Sequence, residues 1–240
     1  MATNLLTEQN AKTTKGEALG WRTLILYLSP GSLAGGGNCC PWASSGCLAA
    51  CLYTAGRGKF SPVQEARLRK TREFWANPKG FVERLAREIE RARKRAERRG
   101  ENLAIRLNGT SDLPWERLGG EARVSLPNRF PGVVFYDYTK IPSRMGKFLA
   151  GGFPPNYSLT FSRNEENGPT ADRFIDKGGS VAAVFGVPRG GDLPAAYRGK
   201  PVTDGDLTDL RFLDPAGTVV GLRAKGEALR DQSSPLPVGN

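Results

Sequence analysis

The most informative absence in the sequence is histidine, of which the 240 residues contain none. Without an imidazole there is no Ser–His or Cys–His pair for nucleophilic catalysis. A metal site must then draw its ligands from thiolates and carboxylates, and proton transfer falls to Asp, Glu, Tyr, Lys or Cys. The sequence therefore excludes every hydrolase design that depends on an imidazole base.

Long apolar runs are also missing. No stretch of about 18 consecutive apolar residues exists, so we expect no membrane-spanning helix. Residues 1–20 lack the apolar segment of a secretory signal and are expected to form a polar leader with little fixed structure. Residues 21–240 show no linker or repeat and are expected to form a single α/β domain. We therefore expect a cytoplasmic protein.

Apolar runs alternate with helical patterns along the chain. Residues 22–30 predict a buried strand that ends at Pro-Gly, and residues 61–77 and 78–100 predict two helices. Further strands are predicted in NLAIRL, GVVFYDYTK, NYSLTFS and SVAAVFG, with helices between the later ones. This alternation predicts a parallel sheet covered by helices. The number of units favours a partial (β/α) barrel, with an open doubly wound sheet as the alternative, and either places function at the carboxyl ends of the strands.

Cysteine is confined to one Gly-rich segment after the first strand, which contains Cys39, Cys40, Cys47 and Cys51. A disulfide is not expected in the cytoplasm, and buried structural cysteine explains a single residue better than four. Adjacent side chains diverge along an extended chain, so Cys40, Cys47 and Cys51 form the natural ligand set, with Cys39 as an additional thiol. Thiolates without histidine favour a 4Fe–4S cluster over zinc. Glycines let the backbone approach such a cluster closely; they are Gly35, Gly36, Gly37 and Gly46.

The stretch CPWASSGCLAACLYTAGRG (Cys40 to Gly58) resembles a Cys-Pro-x-Ala-Ser-x-Gly-Cys-x3-Cys motif. That motif belongs to an uncharacterised family of tailed-phage and prophage gene products. The resemblance continues in VQEARLRKTREFW, RLNGTSDLPWE, FYDYTK and VTDGDLTDLRFLDPAGTVVGLRAKG, and so covers nearly the whole chain. In that pattern Cys40, Cys47 and Cys51 are the matching cysteines and Cys39 is extra. The resemblance implies a viral origin and a shared site, but no particular reaction.

More loosely, the cysteine segment is similar to that of radical S-adenosylmethionine (radical SAM) enzymes, which carry three cysteines after the first strand of a partial barrel. This second resemblance implies a 4Fe–4S cluster whose open iron binds S-adenosylmethionine. The sequence departs from those enzymes in two respects. Its spacing is CxxxxxxCxxxC rather than CxxxCxxC, and LNGTSD stands where they have a Gly-Gly-Glu stretch.

Polar residues follow the second and third predicted strands. Asp112, Asp137 and Lys140 are the candidates for acid–base catalysis, and the alternative for the two carboxylates is that they cap turns. The candidates for cofactor binding, which could equally form turns, are Asn108, Thr110 and Ser111. The carboxyl ends of neighbouring parallel strands meet at one edge of a sheet, so we expect these residues to lie near the cysteines.

Positive charge is concentrated in one part of the chain. The formal net charge is +11, and between Arg57 and Arg99 there are 15 Lys and Arg against 6 Glu. The surplus suits DNA or RNA as a partner, whereas the alternative is a solvated helix face with internal ion pairs. The residues predicted to contact nucleic acid are Arg91, Arg93, Lys94 and Arg95. Two functions therefore stay open: a redox or radical enzyme, and a nucleic-acid-binding protein with a structural cluster or zinc ion.

Overall fold

The computed structural model describes residues 4–8 and 13–225 of the chain. The strands in these ranges are β1 (Leu6–Thr7), β2 (Trp21–Leu26), β3 (Asn102–Arg106), β4 (Val134–Thr139), β5 (Tyr157–Ser162), β6 (Val181–Phe185), β7 (Ala196–Tyr197), β8 (Lys200–Asp204) and β9 (Val219–Arg223). The α-helices are α1 (Thr14–Glu17), α2 (Ser45–Ala49), α3 (Ser61–Ala76), α4 (Pro78–Arg98), α5 (Leu126–Arg129), α6 (Pro142–Leu149) and α7 (Gly168–Asp176). Two short 3-10 helices are Gly56–Lys59 and Arg211–Leu213. Within the described ranges, none of the helices has the length and apolar character needed to span a membrane.

The strands form one open sheet in the order β1-β2-β3-β4-β5-β6-β9-β8-β7. Strands β2 to β6, β9 and β8 run parallel to one another. The two edge strands, β1 and β7, are antiparallel. The predicted α/β class with a mostly parallel sheet is therefore confirmed, and the sheet does not close on itself.

Strands β2 to β6 lie side by side in chain order, so each crossover steps in the same direction. Right-handed crossovers of this kind place the connecting helices on one face of the sheet. The main apolar core agrees, because Leu24, Ile105 and Phe135 from three strands share it with Phe81 of α4 and Met145 of α6. Over these strands the order differs from that of a doubly wound sheet, in which the direction of winding reverses.

The opposite face of the sheet is covered by a segment that precedes β9. Tyr136 and Leu210 belong to a smaller apolar cluster on this face. Beside them Arg106 of β3 pairs with Asp209 at 3.1 Å, and both residues are buried. Because a buried charge is costly unless it is paired, this ion pair fastens the segment to the sheet.

Part of the N-terminal region belongs to the sheet. Leu5 and Leu6 are buried, and β1 pairs with β2. The backbone N–H of Leu5 donates to both carboxylate oxygens of Glu88, at 3.0 and 2.8 Å. Residues 4–8, which the sequence assigned to a polar leader, thus pack against the domain. The remaining parts of the predicted division, residues 1–3, 9–12 and 226–240, lie outside the described residues.

Candidate metal centre

The cysteine segment lies at the carboxyl end of β2 and is fastened to the loop that follows β3. All four cysteines are free thiols; Cys39 is fully buried and the other three are partly buried. The backbone N–H of Asp112 donates to the carbonyl of Cys39 at 2.7 Å. The Cys40 thiol donates to the carbonyl of Thr110 at 3.6 Å. The two polar loops that the sequence predicted to be neighbours are therefore in direct contact.

Cys40, Cys47 and Cys51 lie close enough together for their thiols to affect one another. Burial raises the pKa of the Cys40 thiol to about 12, and the nearby thiols of Cys51, Cys39 and Cys47 add to the rise. Burial likewise raises the pKa of Cys51, with a further contribution from Cys47, and the backbone N–H of Tyr53 opposes it by donating to Cys51 Sγ at 3.4 Å. Metal binding must therefore displace protons from these thiols.

Among the described residues, no three His, Cys, Asp or Glu side chains are already arranged as the ligands of a single metal ion. A zinc ion would need its thiolates gathered around one centre. The thiolates of an iron–sulfur cluster each bind a different iron and stand farther apart. The cysteines would therefore have to move closer together to bind a single ion.

Two of the loop glycines are explained by packing. A Cβ atom at Gly36 would lie 2.8 Å from the Cβ of Trp75, and one at Gly37 would lie 2.7 Å from its indole ring. Real side chains do not tolerate such distances, so the loop backbone must rest directly on α3. The sequence predicted that these glycines let the backbone approach a cluster, whereas in the structure Gly36 and Gly37 pack against Trp75.

The amide of Asn108 is occupied by the protein itself. Its Oδ1 accepts from Ser111 Oγ at 2.9 Å, from the backbone N–H of Leu113 at 2.9 Å and from Trp115 Nε1 at 3.1 Å. Its Nδ2 donates to the carbonyl of Leu113 and to Asp137. Asn108 therefore organises its own loop, and the hydroxyl of Ser111 serves the same purpose. The third cofactor-binding candidate, Thr110, donates its hydroxyl to the carbonyl of Leu28 in the preceding part of the chain.

Asp137 lies fully enclosed below this loop. It accepts from the backbone N–H of Asn108 at 2.7 Å and from the hydroxyl of Tyr157 at 2.5 Å. Burial raises the pKa of Asp137 to about 7, while the Tyr157 hydrogen bond and the charge of Arg144 oppose the rise. The carboxylate thus links β4 to the backbone after β3 and to the first residue of β5, and these contacts do not cap the turn that follows its own strand.

Asp112 is held in a second buried network. It accepts from Thr139 Oγ1 at 2.9 Å, from the backbone N–H of Lys140 at 2.7 Å and from Arg144 Nη1 at 2.7 Å. Arg144 also donates to Glu116 at 2.8 Å, and it is buried. Sequence reasoning missed Arg144 and Glu116, because nothing local marks two charged residues as partners across the fold.

Lys140 is the catalytic candidate whose charge acts on one of the cysteine thiols. Its Nζ donates to Ser162 Oγ at 2.9 Å, and its charge lowers the pKa of Cys51 against the larger, opposite effect of burial. Glu165, in the loop after β5, accepts from the backbone N–H of Gly46 at 2.8 Å. Groups from the ends of β2, β3, β4 and β5 therefore surround the cysteine segment, as expected for the carboxyl edge of a parallel sheet.

Sequence reasoning also missed Arg67 of α3. It is buried, and its guanidinium lies over the rings of Tyr27 at 4.8 Å and Tyr53 at 5.5 Å. The available signal was its helical spacing, because Arg67 shares one face of α3 with Thr71 and Phe74, which are buried. A charged residue on a buried helix face indicates that specific groups compensate its charge inside the protein.

Three of the four basic residues predicted to bind nucleic acid form ion pairs within the protein. Arg93 and Lys94 contact Glu90 at 2.9 and 3.5 Å, and Arg95 pairs with Glu8. The pair between Arg93 and Glu90 lowers the pKa of Glu90 to about 2. Much of the charge in this part of α4 is thus neutralised within the protein, as the ion-pair alternative predicted.

One face of α4 stays basic. Arg87, Arg91, Lys94 and Arg98 are exposed and follow each other at intervals of four, three and four residues, which places them on one stripe. Arg87, Arg91 and Arg98 make no ion pair with any residue that the structure describes. This basic stripe is the part of the helix available to an acidic partner.

Comparison with known proteins identifies the family. A family model described as "Gene product 88" matches residues 4–235, nearly the entire chain. The chain therefore belongs to the gene product 88 family of phage proteins. No curated protein and no solved structure gives a match.

Proposed function

We propose that this phage protein binds a 4Fe–4S cluster through Cys40, Cys47 and Cys51 and uses it in redox or radical chemistry at the carboxyl edge of the sheet. The observation that carries the proposal is the convergence of three free, partly buried thiols at the carboxyl end of β2. Cys39 is fully buried beside Trp75 and is the spare thiol.

The donor set fits such a group. Iron–sulfur clusters are held by Cys thiolates, and hydrogen bonds to their sulfur atoms adjust their reduction potential. The N–H of Tyr53 already donates to Cys51 Sγ, and the cations of Arg67 and Lys140 lie near the same thiol. They offset the negative charge that a thiolate-ligated cluster brings. The cluster, when bound, supplies one-electron transfer.

The strand order supports the finer comparison with a partial barrel. Sequential parallel strands with helices on one face are the arrangement from which β/α barrels are built. We therefore keep the radical SAM-like architecture, and S-adenosylmethionine as a cofactor, within the proposal. Because the side chains of Asn108, Thr110 and Ser111 are engaged within the protein, that cofactor would have to use other groups at this edge.

The decisive test is the iron and sulfide content of protein prepared without oxygen. We expect loss of both in Cys40→Ser, Cys47→Ser and Cys51→Ser, and retention in Cys39→Ser, the matched control. Stoichiometric zinc without acid-labile sulfide in the wild type would end the proposal. Adding S-adenosylmethionine to the reduced protein should change its electron paramagnetic resonance signal if the cofactor binds the open iron.

The exposed basic stripe of α4 favours a second candidate function, binding to DNA or RNA with the cluster or a zinc ion in a structural role. Each phosphate contact contributes about 0.9 to the slope of log K against log salt for duplex DNA. Replacing Arg87, Arg91, Lys94 and Arg98 by Gln should therefore flatten that slope. The control replaces the paired Arg93 and Arg95 by Gln and should change it less. Equal effects, or no binding at low salt, would mean that the stripe only solvates the helix.

A further inference from the structure

Arg67 is a buried cation without an adequate acceptor. The residue is 8% exposed, and its Nε and Nη1 have no hydrogen-bond partner among the residues that the structure describes. The rings of Tyr27 and Tyr53 cover the guanidinium, and stacking of this kind satisfies its faces but not its N–H groups. Burying an ion in this way is unfavourable unless an acceptor completes the site.

The structure favours a hydrogen-bond acceptor for Arg67 near Cys51. Tyr53 connects the two groups, because its backbone N–H donates to Cys51 Sγ at 3.4 Å while its ring lies 5.5 Å from the guanidinium of Arg67. The neighbouring groups that favour the cationic form of Arg67 when they are deprotonated are Tyr27, Cys51 and Tyr53, and no carboxylate is among them. Sulfur is thus the acceptor chemistry at hand.

We infer that Arg67 donates hydrogen bonds to the sulfur atoms of the cluster held by Cys51 and, together with Lys140, raises the reduction potential of that cluster. This inference rests on the proposed function. Reduction passes one electron from a reductant to the cluster, with no bond made or broken, and so increases its negative charge. Nearby cations and N–H donors stabilise the reduced state more than the oxidised one. Arg67 therefore acts as a positioning and tuning residue rather than as a ligand.

The test compares clusters reconstituted without oxygen in wild type, Arg67→Met, Arg67→Lys and Lys140→Gln, with Arg173→Met as the control. Arg173 is exposed on α7, so its replacement by Met removes the same charge from a solvated position. Dithionite titration should show a more negative midpoint potential in Arg67→Met and Lys140→Gln, but not in the control. Loss of a charge-assisted hydrogen bond should also make Arg67→Met lose iron to a chelator roughly tenfold faster. Arg67→Lys should keep most of the potential and lose iron at an intermediate rate.

The outcomes separate the two proposals. Wild type without iron and sulfide refutes the proposed function, and this inference falls with it. The other outcome is a wild type that contains the cluster but has the same midpoint potential and rate of iron loss as Arg67→Met and Lys140→Gln. That result overturns this inference and leaves the proposed function standing. If Arg67→Met does not fold, Lys140→Gln and Arg67→Lys still give both measurements. A second way to overturn it is a melting temperature that inorganic phosphate raises in cluster-free wild type but not in Arg67→Lys, since Arg67 would then serve a free anion.

Discussion

Asn108 donates two hydrogen bonds to the carboxylate of Asp137, one from its backbone N–H at 2.7 Å and one from its side chain at 3.1 Å. The same side chain accepts from Trp115 Nε1. One asparagine thus joins the end of β3 to β4 and shapes the loop that contacts the cysteine segment. The Asn108 side chain donates and accepts hydrogen bonds at the same time, which neither Asp nor Ala can do.

The first prediction concerns the stability of this loop. Asn108→Ala leaves Trp115 Nε1, the N–H of Leu113 and part of Asp137 without partners in a buried region. Each buried group left unsatisfied costs about 1–3 kcal/mol, so we expect a loss of about 3 kcal/mol or more in the free energy of unfolding. Urea denaturation measures it, with Asn102→Ala, at the exposed start of β3, as control. Similar midpoints for the two variants would contradict the structural role of Asn108.

The second prediction concerns pH. Burial raises the pKa of Asp137 to about 7 from an ordinary 3.8, so the folded state holds a proton that the unfolded state releases between these values. The contribution of Asp137 to stability is therefore complete below about pH 4 and is lost as the pH rises toward 7. Asp137→Asn removes this titration and should flatten the curve. A wild-type unfolding free energy that declines no more steeply than the variant's across that window would show that Asp137 is ionised throughout.

The third prediction concerns the segment that covers the second face of the sheet. Asp209→Asn leaves the cation of Arg106 buried without its partner, and breaking such a pair costs about 3–5 kcal/mol. Pairing the change with Arg106→Met removes the stranded charge and should recover most of the loss. Thermal and urea unfolding of the single and double variants test the coupling. Additive effects of the two changes would mean that the pair contributes little.

The fourth prediction concerns the loop that carries the cysteines. Gly37→Ala places a methyl group 2.7 Å from the ring of Trp75, so the loop must move away from α3. We expect a loss of about 1–3 kcal/mol in stability and a lower iron content after reconstitution. The control is Gly132→Ala, because a Cβ there meets nothing within 4 Å. Unchanged iron content in Gly37→Ala would show that the loop position does not matter for metal binding.

Much of the architecture follows from local patterns. The apolar runs of β2, β3 and β4 predicted buried parallel strands, and their polar ends predicted where the cysteine and Asn108 loops would meet. The two-residue strand β1 was not predicted, because so short a strand has no periodicity. The sequence also did not predict that the segment containing Asp209 packs on the second face of the sheet. The reason is that its partner, Arg106, lies 103 residues away in sequence.

The sequence predicted which residue types form the site, but only some of the contacts between them. Sulfur and its position at the sheet edge were visible, since four cysteines in one loop are unusual in any context. The roles of Arg67 and Arg144 could not be predicted, because a charged residue on a helix normally faces solvent. Only the fold shows that these two are buried. The same reasoning applies to α4, where only the structure shows that Arg93 and Arg95 are paired while Arg91 is exposed.

The position of β9 has a consequence for how the protein is made. This strand is the last in the described chain, yet it lies between β6 and β8 rather than at an edge. While the ribosome is still producing residues 186–218, β6 has an open edge and β8 has no parallel neighbour. The nascent chain therefore carries an unpaired strand edge until β9 emerges, and such edges invite pairing with other chains. The sheet can therefore be completed only after residues 219–223 have been synthesised.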